Sequence, residues 1–279
     1  MTSIKTNILA AAVAGLLTFT TGTAEAGRGG SAARIQNAVA TGSVDAIIAE
    51  LERAERLICD ACTPTVLDLI DNDRYELREA AAWWIARRPV LKNQLTERST
   101  ADLAGSDSRL ARNAADVLGT FRHPQAVAAL AAASSRTDLS AEARMAAVRA
   151  LGTIGHRSAN VALTAAMADA DASVRLAAAT SWLQVRKQAT AAPLIALVGD
   201  ADATVRAKAA GVVGELRDST ARAALETALA GDRDASVRRN AAWALGRIGG
   251  AASRAVLTAA TADVSPLVRQ TAKAALAGL

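Results

Sequence analysis

The sequence predicts an all-α chain, a right-handed solenoid of about seven helix-turn-helix repeats, and three observations carry that prediction. The phrase "DASVRRNAAWALGRIGG" at residues 234–250 recurs as "DASVRLAAATSWLQV" from Asp171 and as "DATVRAKAAGVVGEL" from Asp202. Aligned on its arginine, it falls at Arg78, Arg144, Arg175, Arg206, Arg238 and Arg269, with Ala111 in the arginine's place in one further copy. Successive copies lie 33, 33, 31, 31, 32 and 31 residues apart, a near-constant step that marks stacked repeats. Within a copy, apolar residues stand at −1, +3, +6 and +7 from the arginine, as in Val237, Ala241, Ala244 and Leu245. That spacing is one face of a 3.6-residue period, and no segment reads as a strand.

The elements follow in chain order. Residues 1–26 have the layout of a secretory signal peptide: Lys5, an apolar run from Ile8 to Phe19, and Ala24 and Ala26 at the small-residue positions of a cleavage site. The run is 12 residues long, short of the roughly 20 that a bilayer span needs. No later segment is longer and as apolar, and no cysteine follows the cut to carry a lipid. The mature chain is expected to begin after Ala26 and to be periplasmic or secreted. Residues 27–42, rich in glycine at their start, read as a flexible lead-in. A capping helix from Ser43, with Asp45 in its first turn, and a CxxC turn then fill 43–63. The repeat array occupies 64–279.

In the array, the arginine-bearing helix of each copy starts at a capping residue four positions earlier: Asp107, Ser140, Asp171, Asp202, Asp234 and Ser265. Their side-chain oxygens can accept from otherwise unpaired first-turn N–H groups. Arg74 alone breaks this pattern. A second apolar-periodic segment precedes each such helix, for example "HPQAVAALAAA" and "AAPLIALVG", with Pro124 and Pro193 near the starts, where a missing N–H costs least. One such pair cannot bury its apolar face alone, and stacking on its neighbours supplies a continuous core. Glycine recurs at +8 (Gly119, Gly152, Gly214, Gly246), which points to close helix contact or an approaching helix end.

The formal net charge of +5 is unchanged by removal of Lys5 and Glu25, and the acids are interspersed among the arginines throughout. Nucleic-acid binders concentrate positive charge on one face or in one run, so that partner class is set aside. Cys59 and Cys62 stand in "ICDACTP". No histidine follows for haem attachment, and His123 and His156 are too isolated to complete a zinc site. A short disulfide pinning a helix–helix turn is the expected state. A redox-active pair is the alternative, although the thioredoxin-type motif belongs in a strand–helix–strand context that is missing here.

The phrase D-x-x-V-R-x-x-A-A-x-A-L-G-x-I-G resembles the HEAT repeat, in particular its short subtype named after phycobilisome lyases, over about residues 64–279. The resemblance implies that the second helix of each unit lines a concave face. It also implies an Asp–Arg ladder between neighbouring repeats, from Asp171, Arg175, Asp202, Arg206, Asp234 and Arg238, with Arg144 likewise structural. Two branches of the family are enzymes. Those resembling deoxyhypusine hydroxylase hold two irons through His-Glu pairs directly after the repeated arginine. In this chain positions +1 and +2 carry no histidine and one carboxylate, Glu79, whereas iron needs several convergent N/O ligands. The bilin lyases act inside the cell, where a signal peptide does not lead. No Ser/His/Asp or Cys/His set stands out, and His123 and His156 fall at inter-helix turns. The pairs Asp169/Asp171, Asp200/Asp202 and Asp232/Asp234 suggest calcium, but the second Asp of each is already accounted for as a cap. No catalytic residue, cofactor or metal is expected. A degenerate relative of the repeat enzymes, oxidoreductase or lyase, is the alternative.

On the second helices, positions +1, +5 and +9 share a face that the apolar stripe leaves free. It reads Glu79/Trp83/Arg87, Arg112/Asp116/Thr120, Met145/Arg149/Thr153, Leu176/Thr180/Gln184, Ala207/Gly211/Glu215, Arg239/Trp243/Arg247 and Gln270/Ala274/Gly278. Trp and Arg concentrate binding energy in interfaces, so Trp243 with Arg239 and Arg247 is the leading candidate, and Trp83 with Arg87 the second. Arg112 and Arg149 extend the basic surface. Trp84 and Trp182, on the apolar stripe, are expected in the core. The expected function is an exported, non-catalytic scaffold whose groove holds a protein partner through its acidic residues, as a free binder or a fixed subunit of an envelope complex.

Overall fold

In the computed structural model, residues 30–185 and 190–279 are described. Among them are sixteen α-helices and no strand. The signal peptide expected over 1–26 lies outside the described residues. Helices α1 (Ala32–Thr41) and α2 (Val44–Arg53) form an N-terminal hairpin. Seven further pairs follow in order. They are α3 (Thr63–Ile70) with α4 (Tyr75–Ile85), α5 (Pro89–Ala104) with α6 (Ser108–Thr120), and α7 (Val127–Ser134) with α8 (Ala141–Ile154). Next come α9 (Asn160–Ala166) with α10 (Ala172–Trp182), and α11 (Ala192–Ile195) with α12 (Ala203–Leu216). The last two are α13 (Arg222–Gly231) with α14 (Ala235–Ile248), and α15 (Arg254–Ala260) with α16 (Pro266–Ala277).

The lead-in expected over 27–42 is therefore a helix for most of its length. Ser31 accepts a hydrogen bond from Arg34 N at 3.3 Å, which caps α1, and Gly42 closes it at φ 68° with its N–H on the Val39 carbonyl. Ile35 and Ala38, one turn apart, are both buried. That short stripe is enough to dock the helix, and α2 packs on α4 as the inner helix of an additional pair. Ser43 caps α2 as the sequence predicts.

Asp107, Ser140, Asp171, Asp202 and Asp234 all cap their helices through their side chains. Ser265 stands at the N-cap of α16 without a side-chain cap, and Pro266 follows it at the first helical position. Its own N–H donates to Asp263 Oδ1 at 2.7 Å.

The core has two parts. One runs from Ile35 to Leu95 and includes Trp84, and the other from Leu103 to Ala275. Helix α6 is their shared wall: Val117 and Phe121 face the first part, while Ala111, Ala114 and Leu118 face the second. Position +7 supplies fully buried leucines at Leu118, Leu151 and Leu245, each worth about 2–5 kcal/mol against truncation to alanine.

The recurring +8 glycines mark contact between helices. A Cβ on Gly119 would lie 3.0 Å from Ala150 Cα, on Gly152 2.6 Å from Ser181 Cβ, on Gly214 2.8 Å from Ala244 Cα, and on Gly246 2.8 Å from Ala275 Cβ. In each case the neighbour is the +6 residue of the next copy. Second helices thus approach one another more closely than first helices do, which puts them on the inner side of the curve.

Candidate functional site

Beneath the inner face runs a ladder of ion pairs. Arg144, Arg175, Arg206 and Arg238 each direct Nε and Nη2 at one carboxylate of the next repeat, Asp169, Asp200, Asp232 and Asp263 respectively, at 2.7–3.0 Å. This corrects the pairing expected with Asp171, Asp202 and Asp234. Those three are occupied by the helix N–H groups they cap, and the ladder acid stands two residues earlier, at −6. Each Asp-x-Asp divides its work: the first carboxylate joins repeats and the second starts the helix. The first also accepts the N–H two residues on, as Asp200 Oδ1 does from Asp202 N at 2.8 Å. Each arginine's remaining Nη1 donates to its own turn; that of Arg206 reaches the Asp200 and Ala201 carbonyls at 2.8 and 3.0 Å.

With both acids of a pair committed in this way, the carboxylate clusters that suggested calcium are internally satisfied. The arginine hydrogen bonds hold Asp169, Asp200 and Asp263 below the usual carboxylate range.

The copy with Gly105 at −6 and Ala111 at 0 breaks the ladder, and the groups on either side of the gap regroup. Arg78, buried, turns to Asp116 on α6 through Nη2 at 2.6 Å and Nε at 3.0 Å. Asp116 takes Arg149 Nη2 on its other oxygen at 3.0 Å. Asp138, deprived of an arginine from the preceding repeat, pairs with Arg136. The guanidinium of Arg149 also lies 4.7 Å from the Tyr75 ring centre. Burial, with Glu79 and Asp116 close by, pushes the Tyr75 phenol up to about 12. Asp116, expected on the open face, is therefore buried between two arginines.

The other positions of the +1/+5/+9 face remain at least partly open along the inner row. Their arginines are not equally available. Arg112 bridges Asp73 at 3.0 Å and Glu142 at 3.3 Å. Arg87 binds Glu55 at 2.6 Å and stacks 3.8 Å over the Trp83 ring. Arg247 stands 5.6 Å from the Trp243 ring centre, with Glu215 3.7 Å away. Arg239 differs: it is exposed and, among the described residues, donates only to Asn240 Oδ1, at 3.2 and 3.3 Å. Trp243 is half-buried, with one ring edge seated against Gly214, where a Cβ would lie 2.5 Å from Cζ3. Trp84 and Trp182 are buried as expected, and their indole N–H groups donate to the Ala54 and Thr190 carbonyls.

At the N-terminal end, Cys59 and Cys62 form a disulfide across the turn that leads into α3. Arg88 lies 3.1 Å over the Trp84 ring and donates to the Leu57 carbonyl at 2.8 Å. Burial, with Arg87 beside it, lowers its pKa to about 10. An open cavity of about 620 Å³ lies between this turn and the start of α5. Nothing in the sequence points to it, because it forms where two distant stretches, residues 55–60 and 87–91, meet.

Among the described residues no helix is long and apolar enough to cross a membrane, and no group of three His, Cys, Asp or Glu side chains could hold a metal ion. The family model for HEAT repeats matches residues 100–184 and 190–277. No curated protein matches the sequence. Among solved structures the chain is similar to yeast importin-β (Kap95p), at 14% identity and a TM-score of 0.58 over 88% of this chain and 39% of that one. It is similar to Escherichia coli YibA at 14% identity and a TM-score of 0.57, over 87% and 91% of the two chains. Kap95p bound to RanGDP gives 14% identity and a TM-score of 0.54, over 88% and 40%. Identities at this level speak to fold alone.

Proposed function

The chain belongs to the HEAT-repeat family, and from that premise we propose that it is a non-catalytic scaffold holding a segment of a partner protein along its inner row of second helices. We place it after export, in the periplasm or outside the cell, on the strength of the signal-peptide layout of residues 1–26.

One observation carries the reading. Arg239, exposed and without a carboxylate partner among the described residues, stands one helical turn from the half-buried indole of Trp243. An unpaired guanidinium beside an open aromatic edge favours an acidic segment with an apolar side chain nearby. Arg112, Arg87, Arg149 and Arg247 already face acids of their own chain, so they shape the groove more than they attract a ligand. The non-catalytic part rests on positions +1 and +2, which offer no histidine and only Glu79 as a carboxylate. Kap95p, a structural neighbour, binds RanGDP, and repeat arrays of this kind present extended concave surfaces suited to such use.

The test is site-specific photo-crosslinking in cells that express the full chain. A crosslinker at Arg239 is expected to trap a discrete protein adduct that Trp243→Ala abolishes, whereas one at Thr227, exposed on α13, traps none. Equal adducts at both positions, or none at 239, would refute the groove as the working surface.

A further inference from the structure

The geometry points to a second, chemical site at the N-terminal end: Cys59–Cys62 is a thiol–disulfide exchange centre for cysteine-bearing polypeptides. The first observation is an asymmetry of access. Cys62 is fully buried, while Cys59 is part-exposed and lines the 620 Å³ cavity. A thiolate arriving from solvent therefore meets the Cys59 sulfur, and the Cys62 sulfur is placed as the leaving group. Directed attack of this kind is what an exchange centre requires.

The second observation is that the Cys59 sulfur is electrostatically provided for. Cys62 N–H lies 3.1 Å from Cys59 Sγ. Cys62 itself is the N-cap residue of α3, an eight-residue helix with Pro64 in its first turn, and its side chain makes no capping hydrogen bond. Backbone N–H groups and the positive end of a helix stabilise sulfur in the thiolate state. The charged side chains around the cavity are Glu55, Arg56, Asp60, Arg87 and Arg88, three cations to two anions.

The third observation is the rim. Ile58, adjacent to Cys59, is 94% exposed, and Val90 across the cavity is 71% exposed. Neither contributes to the core, and both line the same cavity as Cys59. Arg88 fixes the wall that carries Ile58 by bonding the carbonyls of Ala54, Glu55 and Leu57. An apolar rim around a reactive sulfur suits an unfolded or extended polypeptide, whose apolar side chains lie close to its cysteines.

The exchange balances without another reagent. A client thiolate attacks Cys59 Sγ, the Cys59–Cys62 bond breaks, and Cys62 leaves as a thiolate that takes up a proton. The client's second thiolate then attacks the client sulfur of the mixed disulfide. Cys59 is released as a thiol and the client leaves as a disulfide. Two electrons and two protons pass from client dithiol to protein, and the reverse sequence reduces a client disulfide. This site is independent of the Arg239–Trp243 surface and stands or falls without it.

The test uses the full chain in graded mixtures of reduced and oxidised glutathione, with free thiols counted by alkylation and mass spectrometry. The pair is expected to become half-reduced within buffers spanning roughly three decades of glutathione ratio. Cys62→Ala, which leaves Cys59 alone, is expected to trap a glutathione mixed disulfide about 100-fold faster than Cys59→Ala, which leaves only the buried sulfur. A peptide with two cysteines flanked by leucines is expected to react about tenfold more slowly with Ile58→Asp than with the parent, while glutathione reacts equally with both. A pair that stays oxidised in every buffer, or single-cysteine variants that react at equal rates, would overturn the assignment. Equal peptide rates for Ile58→Asp and the parent would overturn the rim as its client surface.

Discussion

Replacing Asp200 with alanine separates the two jobs that an Asp-x-Asp turn performs. The change removes the acceptor of Arg175 Nε and Nη2, at 2.7 and 2.8 Å, and of Asp202 N, at 2.8 Å. Arg175 keeps the carbonyls of Asp169 and Ala170 for Nη1. Its side chain is 14% exposed and that of Asp200 7%, so water reaches the orphaned edge only in part. Breaking a fully buried pair costs about 3–5 kcal/mol, and an exposed pair is worth at most about 1. Asp200→Ala should therefore destabilise by about 2–3 kcal/mol. Asp202→Ala, which removes a cap alone, should cost about 1 kcal/mol.

The two costs differ most clearly in a double-mutant cycle. Asp200→Ala with Arg175→Ala should show a coupling of about 2 kcal/mol, whereas Asp202→Ala with Arg175→Ala should be additive to within about 0.5. Urea unfolding followed by circular dichroism and by tryptophan emission supplies the free energies, with coincident transitions licensing the comparison. Coupling of Arg175 to Asp202 rather than Asp200 would refute the assignment of the −6 acid to the ladder.

Three further outcomes follow from the same geometry. Gly214→Ala puts a Cβ 2.8 Å from Ala244 Cα and 2.5 Å from Trp243 Cζ3, so it should destabilise by about 1–3 kcal/mol and shift the indole emission; an unchanged urea midpoint would contradict the close approach. Arg217 occupies the left-handed region at φ 53°, so Arg217→Gly should stabilise by up to about 1 kcal/mol, while Gly155→Ala, at φ 67° with Gln184 O 2.9 Å from the added Cβ, should destabilise by more than that; melting temperatures moving in the same direction would count against both. The ladder carboxylates Asp169, Asp200 and Asp263 have folded pKa values below the ordinary one, so their contribution is complete above about pH 4 and is lost as pH falls through the depressed values. Stability measured from pH 6 to pH 2 should fall steeply at the acid end, and Asp200→Asn should flatten that fall.

How much of this was legible in sequence depended on whether a residue's role repeats. The arginine at position 0, the cap at −4 and the glycine at +8 each recur, and a recurring residue reveals its role because stacking poses the same problem in every unit. The acid at −6 recurs as well, in Asp169, Asp200, Asp232 and Asp263. Sequence alone does not assign it, because two aspartates two residues apart compete for one explanation, and capping is the commoner use. What sequence could not deliver were the places where the repeat fails. Helix α1 has a two-residue buried stripe behind a glycine-rich start, too little periodicity to stand out. The Arg78–Asp116–Arg149 cluster exists because Gly105 stands at −6 where Arg78 would find its ladder acid, and where that charge goes instead is decided by three-dimensional reach.

Those failures also tell which surfaces are free. An array held by small side chains needs something other than bulk to fix the register of one repeat on the next, and the ladder supplies it through bidentate geometry that a shifted helix could not satisfy. An arginine committed to that task is not available to a ligand. Once Arg144, Arg175, Arg206 and Arg238 are assigned to the ladder, and Arg87, Arg112, Arg149 and Arg247 to acids across the inner face, Arg239 is the inner-row arginine of the candidate set left without a carboxylate among the described residues. The same reasoning applied to sulfur leads to Cys59: its disulfide closes a four-residue turn and joins no two repeats, so stacking gives no reason for one of its sulfurs to line an open cavity.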